Sequence, residues 1–223
     1  MAPLRLAEVR LRMAAAAERS GRSADAVTLV AVSKGQPGAA IAAAYDLGQR
    51  DFGESRAQEL ATKAQELPRD ISWHFIGPLQ RNKVRIVRPT AVLLHSMDRM
   101  RLAGAWLKGP GIAPPVLLQV NIGREQQKAG VDPDEAAHEL SAMLAMGLNV
   151  LGVMAIPPYD EDPEAARPFF RDLVVMRDQL ASESVPLAVV SMGMTEDYEV
   201  AIEEGSTMIR VGRAIFGERM THG

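Results

Sequence analysis

Residues 28–37 read TLVAVSKGQP. The run from Thr28 to Ser33 is apolar and β-branched, without the alternation of a half-exposed strand. It is therefore expected as a strand buried on both faces, the kind found in parallel sheets covered by helices. Residues 37–47 then read as a helix, with Pro37 near its start and Gly48 past its end. Between strand and helix stands Lys34, an amine placed where a buried strand stops.

Working outward, the same rhythm recurs to the end of the chain. Further strands are expected at 50–53, 73–77, 91–97, 115–122, 150–156, 187–190 and 207–211. Helices are expected at 56–67, 80–88, 99–108, 132–146, 162–182 and 195–204. The pairs Asp132–Pro133 and Asp162–Pro163 supply helix-start chemistry, a capping carboxylate followed by a proline in the first turn. Repeated strand–helix units with buried strands point to an α/β fold. The simplest closure is a single-domain (β/α)8 TIM barrel over residues 1–223, with an extra N-terminal helix covering its bottom. The alternative is an open doubly wound sheet. The first helix draws on Leu4, Val9, Leu11 and Met13.

Composition narrows the classes. Apolar residues make up 47% and charged residues 24% of the 223 residues, as in an ordinary globular protein. A net charge of −3 gives no general attraction to nucleic acid or to anionic lipid. There is no cysteine, which removes thiolate nucleophiles, disulfides and cysteine-based metal sites. That fits a reducing compartment, and a cytoplasmic location is expected. The N-terminal stretch lacks the uninterrupted apolar run of a secretory signal, and no segment approaches the roughly 20 apolar residues of a membrane span. The four histidines, His74, His95, His138 and His222, show no metal-ligand spacing. His74 reads as a satisfied core residue, and the basic stretch 80–88 as a solvated face.

In parallel barrels the site lies at the C-terminal ends of the strands. Lys34 ends the first. Desolvation there would lower its pKa and expose a nucleophilic amine, whereas a lysine snorkelling outward explains the position equally well. The loops Ser191-Met192-Gly193 and Gly212-Arg213 follow the last two strands, where barrels often cradle phosphate on backbone N–H groups. Ordinary turns would account for either glycine alone. Arg210 stands inside the last strand and needs a buried partner. That partner is either a carboxylate of the barrel or the ring nitrogen of a pyridoxal phosphate cofactor.

Six stretches share one further property. AVSKGQP (31–37), DFGESRAQE (51–59), WHFIGPLQRNK (73–83), GVMAIPP (152–158), SMGMTEDYEVAI (191–202) and GSTMIRVGRAIFG (205–217) resemble, in order, the YggS/PROSC-type pyridoxal phosphate homeostasis family. The resemblance implies a barrel like the N-terminal domain of alanine racemases, with pyridoxal 5'-phosphate held as an internal aldimine on Lys34. It implies phosphate contacts from Ser191, Gly193, Gly212 and Arg213, with Met192 in the same loop, Arg210 at the pyridine nitrogen and Ile76 beside the ring. The family's usual GEN reads Gly53-Glu54-Ser55 here, so Ser55 replaces an asparagine near the cofactor.

The expected function is binding and carriage of pyridoxal phosphate without substrate turnover, by a monomer that passes cofactor to apo forms of pyridoxal-phosphate enzymes. No metal, nucleic acid or membrane is expected. A single-domain amino-acid racemase is the first alternative. Against it stands the chain's end soon after the eighth unit, which leaves no second domain and no evident second base. A cofactor-free Schiff-base aldolase is the other.

Overall fold

Parallel strands buried on both faces leave no exposed edge only if the sheet closes. In the computed structural model, which describes residues 5–217, it does. The strands are β1 (Thr28–Val32), β2 (Asp51–Glu54), β3 (Ser72–Phe75), β4 (Ala91–Met97), β5 (Val116–Val120), β6 (Val150–Ala155), β7 (Val189–Ser191) and β8 (Met208–Val211). They form one closed barrel in chain order, all parallel, with β8 returning to β1. The open-sheet alternative is excluded. Helices α1 (Leu6–Arg19), α2 (Gly38–Asp46), α3 (Ala57–Glu66), α4 (Val84–Val87), α5 (Met100–Leu107), α6 (Ala136–Ala145), α7 (Arg167–Leu180), α8 (Tyr198–Glu203) and α9 (Arg213–Phe216) complete the described elements.

The two-residue alternation of a strand divides the core into two layers. Val30, Leu93, Leu117, Met154 and Met208 face each other inside the ring. Leu29, Ala31, Phe52, Phe75, Leu94, Val153 and Ile209 face the helices. The small inner cluster leaves room for buried polar side chains on the same inward positions, among them His74, His95, Ser191 and Arg210.

Four expectations are corrected. First, α1 does not cover the bottom. Arg5 N–H donates to Ile215 O at its start, beside α9, and its other end leads to the turn before β1. Arg12 and Arg19 bond Glu199 and Glu203 of α8, and Arg10 reaches Leu47 O beyond α2. The helix therefore runs down the wall, in the outer-ring place that the single-turn α9 is too short to fill. Val9 and Met13 are buried there, but Leu11 is exposed, and Leu4 lies outside the described residues.

Second, the basic stretch 80–88 is not one helix. A 3-10 turn (Arg81–Lys83) leads into α4, a single turn. Third, Arg88 is not solvated. It is buried, with its guanidinium donating to Leu107 O and Gly111 O. Fourth, β7 begins later than the expected 187–190. Leu187 has φ +44°, which the extended backbone of a strand excludes, so β7 runs on to include Ser191. The capping expectation holds, since Asp132 and Asp162 accept from the N–H groups of Asp134 and Glu164. Among the described residues no helix is long and apolar enough to cross a membrane.

Candidate functional site

The C-terminal strand ends converge on one mouth, and β1 shows how sequence places a side chain there. Val30 faces the interior, while Ser33, of opposite parity, turns outward and donates its Oγ–H to Glu54 Oε1 at 2.7 Å. Lys34 follows in the turn, half-buried. Gly35 allows the turn with φ +71°.

Behind this turn lies a buried charge cluster. Lys63 of α3 donates to Glu54 Oε1 at 2.7 Å, to Glu59 Oε1 at 2.6 Å and to Ser33 O at 2.7 Å. Glu59 Oε1 also accepts the Gly35 N–H at 2.6 Å. The backbone on both sides of Lys34 is thus tied to one ammonium and its carboxylates. Burial raises the Glu54 carboxyl above the usual range, opposed by Lys63 and Ser33.

Across the ring, β8 pairs Arg210 with Val30 of β1. Arg210 is 4% exposed, yet among the described residues it touches no carboxylate. Its NH1 donates to Ser191 Oγ at 2.7 Å and its NH2 to Ala155 O at 3.1 Å. Burial lowers its pKa to about 10, with Asp197 opposing, so it stays charged at neutral pH. Among the described residues, the alternative of a direct ion pair with a barrel carboxylate does not hold.

Ser191 is wholly buried, and its hydroxyl lies between Arg210 and His95 Nδ1, the latter at 3.0 Å. That hydroxyl is engaged inside the barrel, at the C-terminal end of β7. Met192, the next residue, has the opposite parity and packs between sheet and helices. Its N–H donates to Met208 O and its carbonyl accepts from Ser206.

Gly193 and Gly212 do shape the mouth. Gly193 has φ +92°, and a Cβ there would come within 2.6 Å of the Ala201 methyl. A Cβ on Gly212 would press against Val32 O at 3.2 Å, on the β1 side of the opening. Arg213 begins α9, where the first N–H groups of a helix have no partner within it. Its guanidinium turns away to Glu196 at 2.8 Å. Ile76 approaches Gly53 from β3's end, with its Cδ1 3.2 Å from where a Cβ on Gly53 would stand. Ser55, half-buried, follows Glu54 on the inward parity of Gly53.

The sequence reading missed Asp51, His95, Glu54, Glu59, Lys63 and Asp197. Glu59 and Lys63 are an (i, i+4) pair that was visible. Asp197, which ties the Gly193 loop through Met194 N–H, stands where a helix-start acid would be sought. His74 is the satisfied core histidine expected, bonded to Asp51 and His95. His138 is exposed, and His222 lies outside the described residues.

A flat anionic aldehyde such as pyridoxal phosphate requires an amine, a narrow N–H-lined cup and a polar partner for its ring nitrogen. Lys34, the Gly212–Arg213 turn and Arg210 stand at neighbouring strand ends, and the residues present fit such a group. The comparisons with known proteins agree in kind. The model of the alanine racemase N-terminal domain matches residues 5–220. The pyridoxal phosphate homeostasis protein of Aquifex aeolicus is 43% identical, over 96% of this chain and 97% of that one. The protein of that name from Escherichia coli is 41% identical over 96% and 95%. The solved structure of PipY from Synechococcus elongatus, with pyridoxal phosphate bound, is 35% identical. It superposes with a TM-score of 0.79 over 94% of this chain and all of that one. The chain therefore belongs to the alanine racemase N-terminal domain family and, within it, to the pyridoxal phosphate homeostasis proteins.

Proposed function

We propose that this chain binds pyridoxal 5'-phosphate at the barrel mouth and carries it, as a cytoplasmic monomer, without turning over a substrate of its own. The observation that carries the reading is that Lys34, just past the end of β1, and Arg210, on the paired β8, stand beside the glycine-lined opening. It is supported by relatives named for pyridoxal phosphate homeostasis and by PipY, solved with that cofactor. The cofactor supplies an aldehyde, to which Lys34 Nζ attaches as a Schiff base with loss of water. Arg210 offers a permanent donor to the ring nitrogen. The Gly212–Arg213 turn offers N–H groups to the phosphate, with Gly193 shaping the adjoining loop, Ile76 packing beside the ring and Ser55 at its edge. Ser191 serves by holding Arg210, and Met192 by anchoring the loop from behind.

Carriage is favoured over turnover by the state of the two inner histidines. Both ring nitrogens of His74 and of His95 are already engaged, so neither is available as a second proton carrier opposite Lys34. An arginine at the ring nitrogen also keeps that nitrogen unprotonated, which weakens the ring as an electron sink. Delivery to apo-enzymes follows as the use of a held, unconsumed cofactor.

The test is reconstitution followed by borohydride. Reduction should fix the cofactor on the peptide containing Lys34, and Lys34→Ala should lose both the label and the visible band. Pyridoxal without phosphate should bind about a hundredfold more weakly, since each charge-assisted hydrogen bond contributes roughly 1.5–3 kcal/mol. Label on another residue, or an unchanged band in Lys34→Ala, overturns the attachment. Steady turnover of an amino acid with no transfer to an apo-enzyme would favour the racemase instead.

A further inference from the structure

Inside the ring, beneath Arg210, runs a line of buried polar groups whose proton positions can be deduced. Arg210 NH1 can only donate, so Ser191 Oγ, at 2.7 Å, accepts from it. The serine's own proton then goes to His95 Nδ1 at 3.0 Å, the other partner its hydroxyl has. A bare Nδ1 puts the His95 proton on Nε2, which lies 3.0 Å from His74 Nδ1. His74 in turn carries its proton on Nε2 and donates to Asp51 Oδ1 at 3.0 Å. The opposite direction would set two donors on Ser191 Oγ and leave its proton without an acceptor at a site that is 0% exposed.

We infer that Asp51, His74, His95 and Ser191 form a one-way hydrogen-bond chain that joins Arg210 to a remote counter-charge and so positions the guanidinium at the mouth. The chain starts at a buried cation and ends at Asp51, at the N-terminal end of β2, where the carboxylate side chain is 34% exposed. Each neutral member points its proton toward Asp51 and its lone pair toward Arg210. The aligned dipoles favour both charges, and such chains strengthen one another in a low-dielectric interior. A carboxylate placed directly on Arg210 would take up the N–H edge that a ligand needs. Relaying the counter-charge through neutral groups leaves N–H capacity on Arg210 beyond its bonds to Ser191 Oγ and Ala155 O. A neutral His95 agrees with the local field, because burial, then His74, then Arg210 hold its pKa well below the ordinary value.

This deepens the proposed function, because it rests on Arg210 as the partner of the ring nitrogen. The test therefore begins without cofactor. Histidine-selective 15N NMR of the full chain at neutral pH should find His74 and His95 both neutral and protonated at Nε2. An Nδ1–H tautomer or an imidazolium at either position overturns the chain, whatever the protein binds. Asp51→Asn keeps an acceptor and should preserve both tautomers. Asp51→Ala, at a partly exposed position, should perturb His74 and, through it, His95; an unchanged His95 signal overturns the coupling.

Pyridoxal phosphate is then added. His95→Gln can still accept from Ser191 and donate to His74, so it should keep the visible band and bind within about threefold of the parent. His95→Leu keeps volume but breaks the chain, and should shift the band and weaken binding about tenfold. A folded His95→Leu, or Asp51→Ala should the former not fold, with the parent's band and affinity overturns the positioning role. If the parent binds no cofactor, the functional reading fails, and the NMR result still decides the chain.

Discussion

Two charge systems share strand β2, one outside the ring through Glu54 and one inside through Asp51, and they are wired differently. Outside, the Lys63 ammonium touches Glu54 and Glu59 directly, at 2.7 and 2.6 Å. Inside, Arg210 touches no carboxylate among the described residues, and Ser191, His95 and His74 stand between it and Asp51. The difference follows what each must hold. The outer cluster fixes backbone: Ser33 O and Gly35 N–H are bound into it, and they bracket Lys34. The inner chain fixes a side chain while leaving its charge available. Lys34 follows the strand that pairs with the strand of Arg210, and the backbone on both sides of it is tied to the outer cluster.

The largest effect should come from the direct cluster. Removing one partner of a buried ion pair leaves the other charge uncompensated, which typically costs about 3–5 kcal/mol. Lys63→Met should lower the unfolding free energy by that much in urea titrations of the cofactor-free chain at neutral pH. Adding Glu54→Gln should recover part of it. The cost should also shrink as pH falls. Burial already raises the Glu54 carboxyl against the pull of Lys63, and without that pull it rises further. The protonated form is the one burial favours, so acid relieves the variant. A loss below about 1 kcal/mol would place this cluster with ordinary surface pairs and remove the contrast with the inner chain.

The inner chain should declare itself through pH. A histidine whose folded pKa is depressed binds fewer protons in the native state than in the unfolded one. Stability then rises with pH and is lost as pH falls below the unfolded value, near 6.5. One such group contributes a slope of up to about 1.4 kcal/mol per pH unit. His95 is held well below its ordinary value chiefly by burial, so His95→Gln should flatten the acid limb of the parent's stability curve by about that slope. An unchanged limb would mean that His95 takes up a proton inside the folded barrel, which the chain's direction forbids.

Much of this was legible in the sequence, and the limit has a physical cause. Buried strands such as 28–33 and 150–156 announce themselves by unbroken apolar runs, and the rhythm of strand and helix gave the closed barrel. Lys34, Arg210, Gly193 and Gly212 could be found because they stand at strand ends, and a parallel barrel gathers its strand ends into one mouth. Ser191 and Met192 could not be assigned without register. Once β7 begins at Val189, Ser191 points inward to Arg210 and Met192 outward to the helices. A strand's period of two means that a shift of one residue reverses every assignment on it. The His74–His95 contact depends on the irregular pairing of β3 with β4, and no sequence pattern marks that. The basic stretch 80–88 misled because charge was read as exposure, while Arg88 found backbone carbonyls to bond in the interior.

The smallest effect is expected where the two systems adjoin on a single strand end. Glu54 turns outward into the direct cluster, and the next residue, Ser55, falls on the inward parity toward the mouth. The loop after β3 crosses tightly over it, since a Cβ on Gly77 would lie 2.6 Å from Ser55 Cβ. A longer side chain at 55 has no room on that side and must extend into the opening, where a bound ring would lie. Ser55→Asn should therefore bind pyridoxal phosphate as tightly as the parent or more tightly, because its amide reaches farther than a hydroxyl. Ser55→Ala should weaken binding by no more than about threefold, the effect of losing one weak neutral hydrogen bond. Both should leave the unfolding free energy from urea titration within about 0.5 kcal/mol of the parent, as expected for a position outside the two charge systems. Cofactor titration followed by visible absorbance, with urea unfolding of the same samples, separates the two readouts. Loss of binding in Ser55→Asn with unchanged stability would show that the opening has closed around serine. In that case this strand end, and not Arg210 alone, sets how the ring is seated.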